Sequence, residues 1–444
     1  MLRLSAGAIL ALFASCASLV DALPAGPPLP TLVGELPSVA SANGNLDREL
    51  LLASIKHTFA KYDFSPTSET TSNANATTTR FLAKRQGSDG RSAVNLEPSP
   101  IKLDVITLQP AAGLYTAPMN FGTPPQSRPL ILDTGSADLF IQDSCQQGSG
   151  CAGNFLWRQS STYRDTGRTA TLNYVSDSVT GRVVTDTVKF GDQTIEQQAF
   201  LVVPDSNTPG AAGNIGLGLS AHANPAIGTP LVENLRAKGL LGADNSFNLQ
   251  MDRTGNKAAI TLGVRTGQGA LTPSQTTYNV LYPQVLGRWA LEMKQVTAKG
   301  AAWPDQWRGS AAIFIDSGSS SSFIPRAAAR AAHLRVEHTV ETWPVPLQGQ
   351  MYDVDFYFFP CDANINYSIR FTDTRLFPSD PRDQSLASVG NGMCQSMLIG
   401  VDIELDGIQA GILGAPWLKS KSVNFGAGFD ASNSGATISI ADGY

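Results

Sequence analysis

Two short stretches of this sequence place an acid in the same setting. Leu130-Ile131-Leu132-Asp133-Thr134-Gly135-Ser136 and Ile313-Phe314-Ile315-Asp316-Ser317-Gly318-Ser319 each run an apolar segment into Asp-Ser/Thr-Gly-Ser, and each continues at the same offset to Phe140-Ile141 or Phe323-Ile324. The apolar run is the pattern of a buried strand, and Gly135 and Gly318 admit a tight turn and a close backbone approach that a side chain would block. The hydroxyls of Thr134, Ser136, Ser317 and Ser319 are donors suited to holding the carboxylates and the turns. Two carboxylates held together cannot both ionise cheaply, so they share one proton and titrate as a pair, one available as base and one as acid. A water between Asp133 and Asp316 is then the expected nucleophile, attacking without a covalent intermediate.

Other chemistries fit less well. A glycosidase sets an acid and a nucleophile apart around a sugar, whereas identical turns on a repeated strand argue for one shared site. A third copy of the short motif, Asp165-Thr166-Gly167, lies among polar residues and reads as an ordinary surface turn. The glycine pattern Gly148-Ser149-Gly150-Cys151-Ala152-Gly153 has no strand-to-helix unit around it, which rejects a nucleotide. His333 and His338 lack the spacing of a zinc-protease helix. No cofactor and no metal are expected.

The elements that must carry these acids follow from composition. The chain has 444 residues, 42% hydrophobic but only 16% charged, leaving ample material for a core. Its 41 Gly and 27 Pro favour many turns and short strands, so the expected class is all-β with minor helices. The internal repeat divides it into two similar lobes. A net charge of −5 offers no basic surface for a phosphate backbone, and nucleic acid is excluded as a partner.

With these residues in view the sequence resembles the pepsin-like aspartic proteases, secreted fungal-type endopeptidases among them, from about residue 103 onward. Phe121-Gly122-Thr123-Pro124-Pro125-Gln126 matches that family's strand and turn before the first acid, and Asn214-Ile215-Gly216 and Ile412-Leu413-Gly414 match its later hydrophobic-Gly partners of the two acid strands. The resemblance implies a bilobal double β-barrel with pseudo-twofold symmetry and the active-site cleft between the lobes, with residues 104–275 and 276–444 as the N- and C-terminal lobes. It also implies extended protein or peptide substrates lying beneath a flap hairpin, to which Leu172-Asn173-Tyr174 belongs, with Tyr174, Ser176 and Asp177 as substrate-binding flap residues. The expected product is a monomeric acid endopeptidase. A catalytically inactive secreted binding protein with the cleft retained is the alternative.

The N-terminal region reads as processing signals. Arg3 followed by an apolar stretch over 4–20 and Val20-Asp21-Ala22 predicts a signal peptide over 1–22. Residues 23–85 form a polar, Pro/Ser/Thr/Asn-rich pro-segment closed by the dibasic pair Lys84-Arg85, with 86–103 as a linker. Within it, Leu50, Leu51, Ile55 and Phe59 predict a helix over 46–62. Lys56, Lys61 and Tyr62 resemble the basic-aromatic element that relatives lay over the acids, which makes the pro-segment an intramolecular inhibitor with Lys61 and Tyr62 as its contacts. No later stretch is apolar enough for a membrane anchor, and secretion is expected, with an acidic organelle such as the vacuole as the alternative. After Cys16 leaves with the signal, four cysteines remain and allow three pairings; closeness favours Cys145–Cys151 and Cys361–Cys394, which also match the family's loops. Asn366-Tyr367-Ser368 is a glycosylation candidate, as is Asn75-Ala76-Thr77 in the pro-segment.

Several residues depart from the family pattern. Phe140 stands where many relatives have a Trp that helps hold the flap tyrosine. The tip Val175-Ser176-Asp177-Ser178 lacks the usual glycines, and Asp177 is a candidate to attract a basic substrate side chain. Asn214 replaces an apolar residue, with an expected effect on packing near the acids but not on their chemistry.

Overall fold

The repeat in the sequence becomes a repeat in strand pairing. Strand Gln126–Asp133 ends on the first acid; Gly213–Gly216 runs parallel beside it with Gly216 opposite Asp133, and Leu139–Gln142 lies antiparallel on the far side of Gly213–Gly216. In the second half, Ile408–Leu413 runs parallel to Trp307–Ile315 with Leu413 opposite Ile315, and Ser322–Ile324 pairs antiparallel with it at Phe323 and Ile412. Leu130, Leu132, Ile313 and Ile315 are buried, as expected of central strands covered on both faces, whose sequence reads as a continuous apolar run rather than an alternation.

These triplets sit within larger sheets of a computed structural model that describes residues 51–52, 55–56, 58–59, 61–62, 64–66, 100–102, 104–108 and 112–442, the last except 145–152, 175–176, 205–210, 243–244, 252–257, 264–274, 282–285, 303, 348 and 427–434. Among the described residues the first acid ends a strand of an eight-stranded sheet and the second directly follows a strand of a thirteen-stranded one. A six-stranded sheet takes Ser246–Gln250 and Ala259–Leu262 from the first half and Thr276–Asn279, Lys421–Gly426 and Thr437–Asp442 from the second. The architecture is the all-β, bilobal pepsin-like fold that the resemblance implies. Pro100–Lys102 pairs with Ala259–Leu262 at the edge of the six-stranded sheet, so the end of the stretch read as a linker is a strand. Its proline sits at the strand's first residue and on an edge, where a missing N–H is tolerated.

The stretch read as a pro-segment is built into the second half. Its described helical residues, 51–52, 55–56 and 58–59, bury Leu51, Ile55 and Phe59, and the core cluster they join also holds Tyr62, Phe64, Phe314, Phe323 and Tyr352. Spacing of three to four residues places these side chains on one face of the helix. Phe59 meets the edge of Phe323 at 5.1 Å between ring centroids, and Tyr62 stacks on Phe314 at 4.9 Å. The chain then extends, and Ser65–Pro66 pairs antiparallel with Glu404 and Ile403. The Tyr352 hydroxyl donates to the Phe64 carbonyl at 2.7 Å. Each of these large apolar side chains contributes roughly 1.5–3 kcal/mol by leaving water.

Cys361 and Cys394 form a disulfide with an S–S distance of 1.99 Å. The expected signal peptide, Lys84, Arg85, Asn75, Cys145, Cys151 and Ser176 lie outside the described residues. Asp165-Thr166-Gly167 is not the surface turn expected: it lies within strand Arg164–Tyr174, where the pairing register shifts between Asp165 and Arg168. Gly167 there adopts φ +72°, and its N–H donates to the Asp165 carboxylate at 2.8 Å, so the same short-range chemistry makes a bulge.

Candidate active site

The two acid turns lock to each other through neutral hydroxyls. Thr134 Oγ1 donates to the Ile315 carbonyl at 2.7 Å and accepts from the Ser317 N–H at 2.9 Å; Ser317 Oγ donates to the Leu132 carbonyl at 2.7 Å and accepts from the Thr134 N–H at 3.0 Å. Thr134 and Ser317 therefore hold the opposite strand rather than their own carboxylate. Each acid is tied to its own turn by a glycine N–H, from Gly135 to Asp133 Oδ1 and from Gly318 to Asp316 Oδ1, both at 2.9 Å. A Cβ on Gly135 would lie 2.5 Å from Asp316 Cγ, and one on Gly318 would strike Asp133, so only glycine lets the carboxylates come this close.

The outer oxygens differ. Ser136 Oγ donates to Asp133 Oδ2 at 2.6 Å, whereas Ser319 Oγ donates to the Ser321 carbonyl at 2.8 Å and meets Thr58 Oγ1 at 3.2 Å. Of the hydroxyls expected to hold the carboxylates and the turns, Ser136 thus binds its carboxylate and Ser319 a carbonyl of its own turn. Asp316 Oδ2 instead accepts from Lys61 Nζ at 3.0 Å and from the Tyr62 hydroxyl at 3.1 Å. Lys61 Nζ also lies 2.9 Å from Asp133 Oδ1 and 3.0 Å from Asp316 Oδ1, and all three side chains are buried.

The charges follow from these contacts. Burial pushes both carboxyls up, but at Asp133 the Lys61 ammonium and the hydrogen bonds from Asp316, Ser136 and Lys61 outweigh it and hold the acid below the ordinary carboxylate range. At Asp316, burial and the neighbouring Asp133 charge prevail over Lys61, and the carboxyl is raised. Burial pulls Lys61 down, yet the two acids leave it raised overall.

Two further neighbours, Asn214 and Arg288, complete the surroundings. Asn214 lies opposite Phe140 and beside the first acid strand, and its Nδ2 donates to Ser136 Oγ at 3.0 Å and reaches Asp133 Oδ2 at 3.5 Å. It touches the acid's own hydrogen-bond network, against the expectation of a packing effect alone. Arg288 Nη1 donates to the Gly135 carbonyl at 2.9 Å, and Nη2 donates to the Lys61 carbonyl. The signal for Asn214 was a polar residue in an apolar motif; Arg288 had only its charge directly before the apolar strand Ala290–Ala298.

A family model described as eukaryotic aspartyl protease matches residues 114–441. The chain belongs to that family. It is 26% identical to pregnancy-associated glycoprotein 2 of Sus scrofa over 58% of this chain and 60% of that protein. It is 28% identical to chymosin of Camelus dromedarius over 48% of this chain and 55% of that protein. To probable vacuolar protease A of Arthroderma benhamiae it is 32% identical over 34% of this chain and 39% of that protein. In these three comparisons the chain thus spans 60% or less of each relative's length.

In this aspartyl protease family member, Arg164–Tyr174 and Asp177–Phe190 pair as an antiparallel hairpin, with Tyr174 opposite Asp177 at its end. Phe140 is buried in a cluster with Leu172, Val183 and Leu201. Asn366 is half-buried just before strand Tyr367–Arg370, and its carbonyl accepts from the Lys299 N–H at 2.8 Å. His333 closes helix Arg326–His333, stacked on Tyr357 at 4.0 Å, with Nδ1 on the Ala329 carbonyl and Nε2 on Ser396 Oγ. Among the described residues no helix is long and apolar enough to cross a membrane.

Proposed function

We propose that this protein is an aspartic endopeptidase, made as a zymogen, that hydrolyses peptide bonds of proteins at acidic pH through a water activated by Asp133 and Asp316. The observation that carries this reading is the Lys61 ammonium seated 2.9–3.0 Å from both carboxylates. Its Nζ takes the position from which a water would touch both acids, so the pro-segment excludes the nucleophile while it satisfies the charges. With the pro-segment gone, the ionised acid takes a proton from the water as its oxygen attacks the peptide carbonyl, and the protonated acid gives its proton to the developing oxyanion. The acid that took the water's proton then gives it to the amine nitrogen, and as the C–N bond breaks a hydroxyl of the tetrahedral intermediate passes its proton to the other carboxylate, leaving the pair with one proton as at the start.

The pH dependence follows in sign from Asp133. Its carboxyl is depressed in the closed form below the ordinary value of about 3.9, so closure is stabilised above that pH and loses this contribution as pH falls. Lys61, raised above 10.5, stays charged across the acid and neutral range and sets no limit there. Asp316, raised to about 6 in the closed form, has the opposite sign: the proton it keeps favours closure as pH falls through that value, so acid weakens the Asp133–Lys61 contact alone. The reading extends to release after Arg85, lobes over 104–275 and 276–444, a flap carrying Tyr174, Ser176 and Asp177 over an extended substrate, a glycan on Asn366 and secretion.

The test is cleavage of denatured haemoglobin from pH 2 to 7 by the processed protein, with Asp133→Asn and a statine-type inhibitor in parallel. Acid activity lost with both supports the shared acid pair. Folded protein that cleaves nothing at any pH overturns it in favour of a binding protein that keeps the cleft.

A further inference from the structure

We propose that Arg288 reads the substrate, and that the cleft selects peptides bearing an ionised carboxylate within a few residues of the scissile bond. This rests on the reading above that the pro-segment occupies the cleft. Arg288 is buried between the acid turn and the pro-segment. One arm of its guanidinium donates to the Gly135 carbonyl at 2.9 Å, the other donates to the Lys61 carbonyl, and its centre lies 4.5 Å from the Tyr62 ring centroid. Two of these three partners belong to the segment expected to leave; the third belongs to the turn that carries Asp133.

Removal of the pro-segment thus turns one arm and one face of a planar cation toward the substrate path while the Gly135 carbonyl keeps the group in place. That anchoring is preorganisation: the orientation a ligand needs is already fixed by the fold. The arm already accepts one peptide carbonyl as its partner. A carboxylate fits the same fork better, because a hydrogen bond with charge on both sides is roughly twice as strong as one to a neutral oxygen. Among the groups facing Arg288 are Lys61 and Tyr62 of the proposed pro-segment and His222, whose Cβ lies beside Gly287. Burial first and then the Arg288 charge lower His222 well below the ordinary histidine value, against the pull of the Asp133 charge.

The experiment uses the processed protein and peptides that carry Glu or Gln at one position at a time over three residues on either side of the bond, at pH 5, where a free glutamate is ionised. The expected result is a Glu-over-Gln ratio in kcat/KM of about tenfold or more, about 1.4 kcal/mol, at one position and near unity elsewhere. Arg288→Gln should bring that ratio to about one, and Arg288→Lys should leave it reduced but present. Thermal melts of both variants verify that they fold. A second arm compares the same peptides ended by a free carboxylate or an amide; a preference seen only there assigns the carboxylate to the chain end rather than to a side chain.

The proposal fails if wild type shows no Glu preference at any position and no preference for a free chain end, or if Arg288→Gln keeps the preference. It also fails if Arg288→Gln slows Glu and Gln peptides equally, since the residue would then hold only backbone. If nothing is cleaved, the endopeptidase reading falls on its own, and the same peptide pairs are titrated against Asp133→Asn protein with and without Arg288→Gln. A Glu preference in Kd that vanishes in the double variant still supports Arg288, and equal Kd values overturn it.

Discussion

The two acid turns are nearly the same in sequence and unlike in their surroundings. Asp133 has its outer oxygen bound by Ser136 at 2.6 Å with the Asn214 amide behind it, all from elements of the first half. Asp316 has its outer oxygen bound by Lys61 and Tyr62 of the proposed pro-segment, while its own Ser319 is turned to the Ser321 carbonyl. The charged form of the first acid is therefore supported by groups that stay, and that of the second by groups expected to leave. A repeated motif fixes where two carboxylates sit; the neighbours that break the repeat bias which of them carries the proton.

A second contrast runs the other way. Burial raises Asp138 in the first half to about 6 and lowers His333 in the second half to about 3. Asp138 is neutral in acid, so its raised value favours folding below the ordinary carboxylate pKa and weighs against folding as pH rises through about 6. His333 is neutral above about 3, so folding loses stability as pH falls below 6.5, where the unfolded histidine takes up a proton.

The severest test of the first contrast is removal of either acid. Asp133→Asn and Asp316→Asn should each lower kcat/KM by at least about a thousandfold, the scale of a lost general acid or base, and a variant within tenfold of wild type would remove that acid from the mechanism. Next comes Lys61→Ala in a precursor whose Lys84 and Arg85 are both changed to Ala. Breaking a buried ion pair costs about 3–5 kcal/mol, so peptide cleavage at pH 5.5 should rise by about a hundredfold or more over the intact latch. A precursor as silent as before would show that the helix alone closes the site.

The second contrast predicts a crossed result in urea titrations. His333→Gln should stabilise the protein by about 1–2 kcal/mol at pH 4 and little at pH 7, while Asp138→Asn should do the reverse. The shifts to about 3 and about 6 correspond to about 3 kcal/mol each at those pH values, discounted because each new amide must still find partners. Equal effects at both pH values would mean that packing, not charge, governs these sites. The smallest change is expected from Asn214→Leu: the acid limb of the kcat/KM profile should move up by about half to one pH unit as Asp133 loses part of its support. An unmoved limb would leave Ser136 as the only group that matters there.

Much of this was legible in the sequence because it is local or repeated. Apolar runs ending in Asp-Ser/Thr-Gly-Ser announced buried strands and tight turns, and the recurrence announced two halves facing each other. The Leu51, Ile55 and Phe59 spacing predicted an apolar face for the proposed pro-segment, although nothing in it named Phe323 or Tyr352 as the surface it covers. What stayed hidden depends on distance along the chain. Asn214 lies 81 residues from Asp133 and Arg288 lies 153 from Gly135, so their contacts arise only once the sheets are assembled. Ser319 shows a different limit: a hydroxyl in the right motif has more than one acceptor within reach, and a local carbonyl took it.

The lock formed by Thr134 and Ser317 consists of hydroxyls, amide N–H groups and carbonyls, none of which gains or loses a proton across the acid range. The spacing of the carboxylates is thus set by parts that are blind to pH. A proton can pass from one acid to a reacting group and return without any strand being asked to move, so little reorganisation energy is demanded at each transfer. The frame behaves as a fixed mount, and the chemistry is confined to the few atoms it holds.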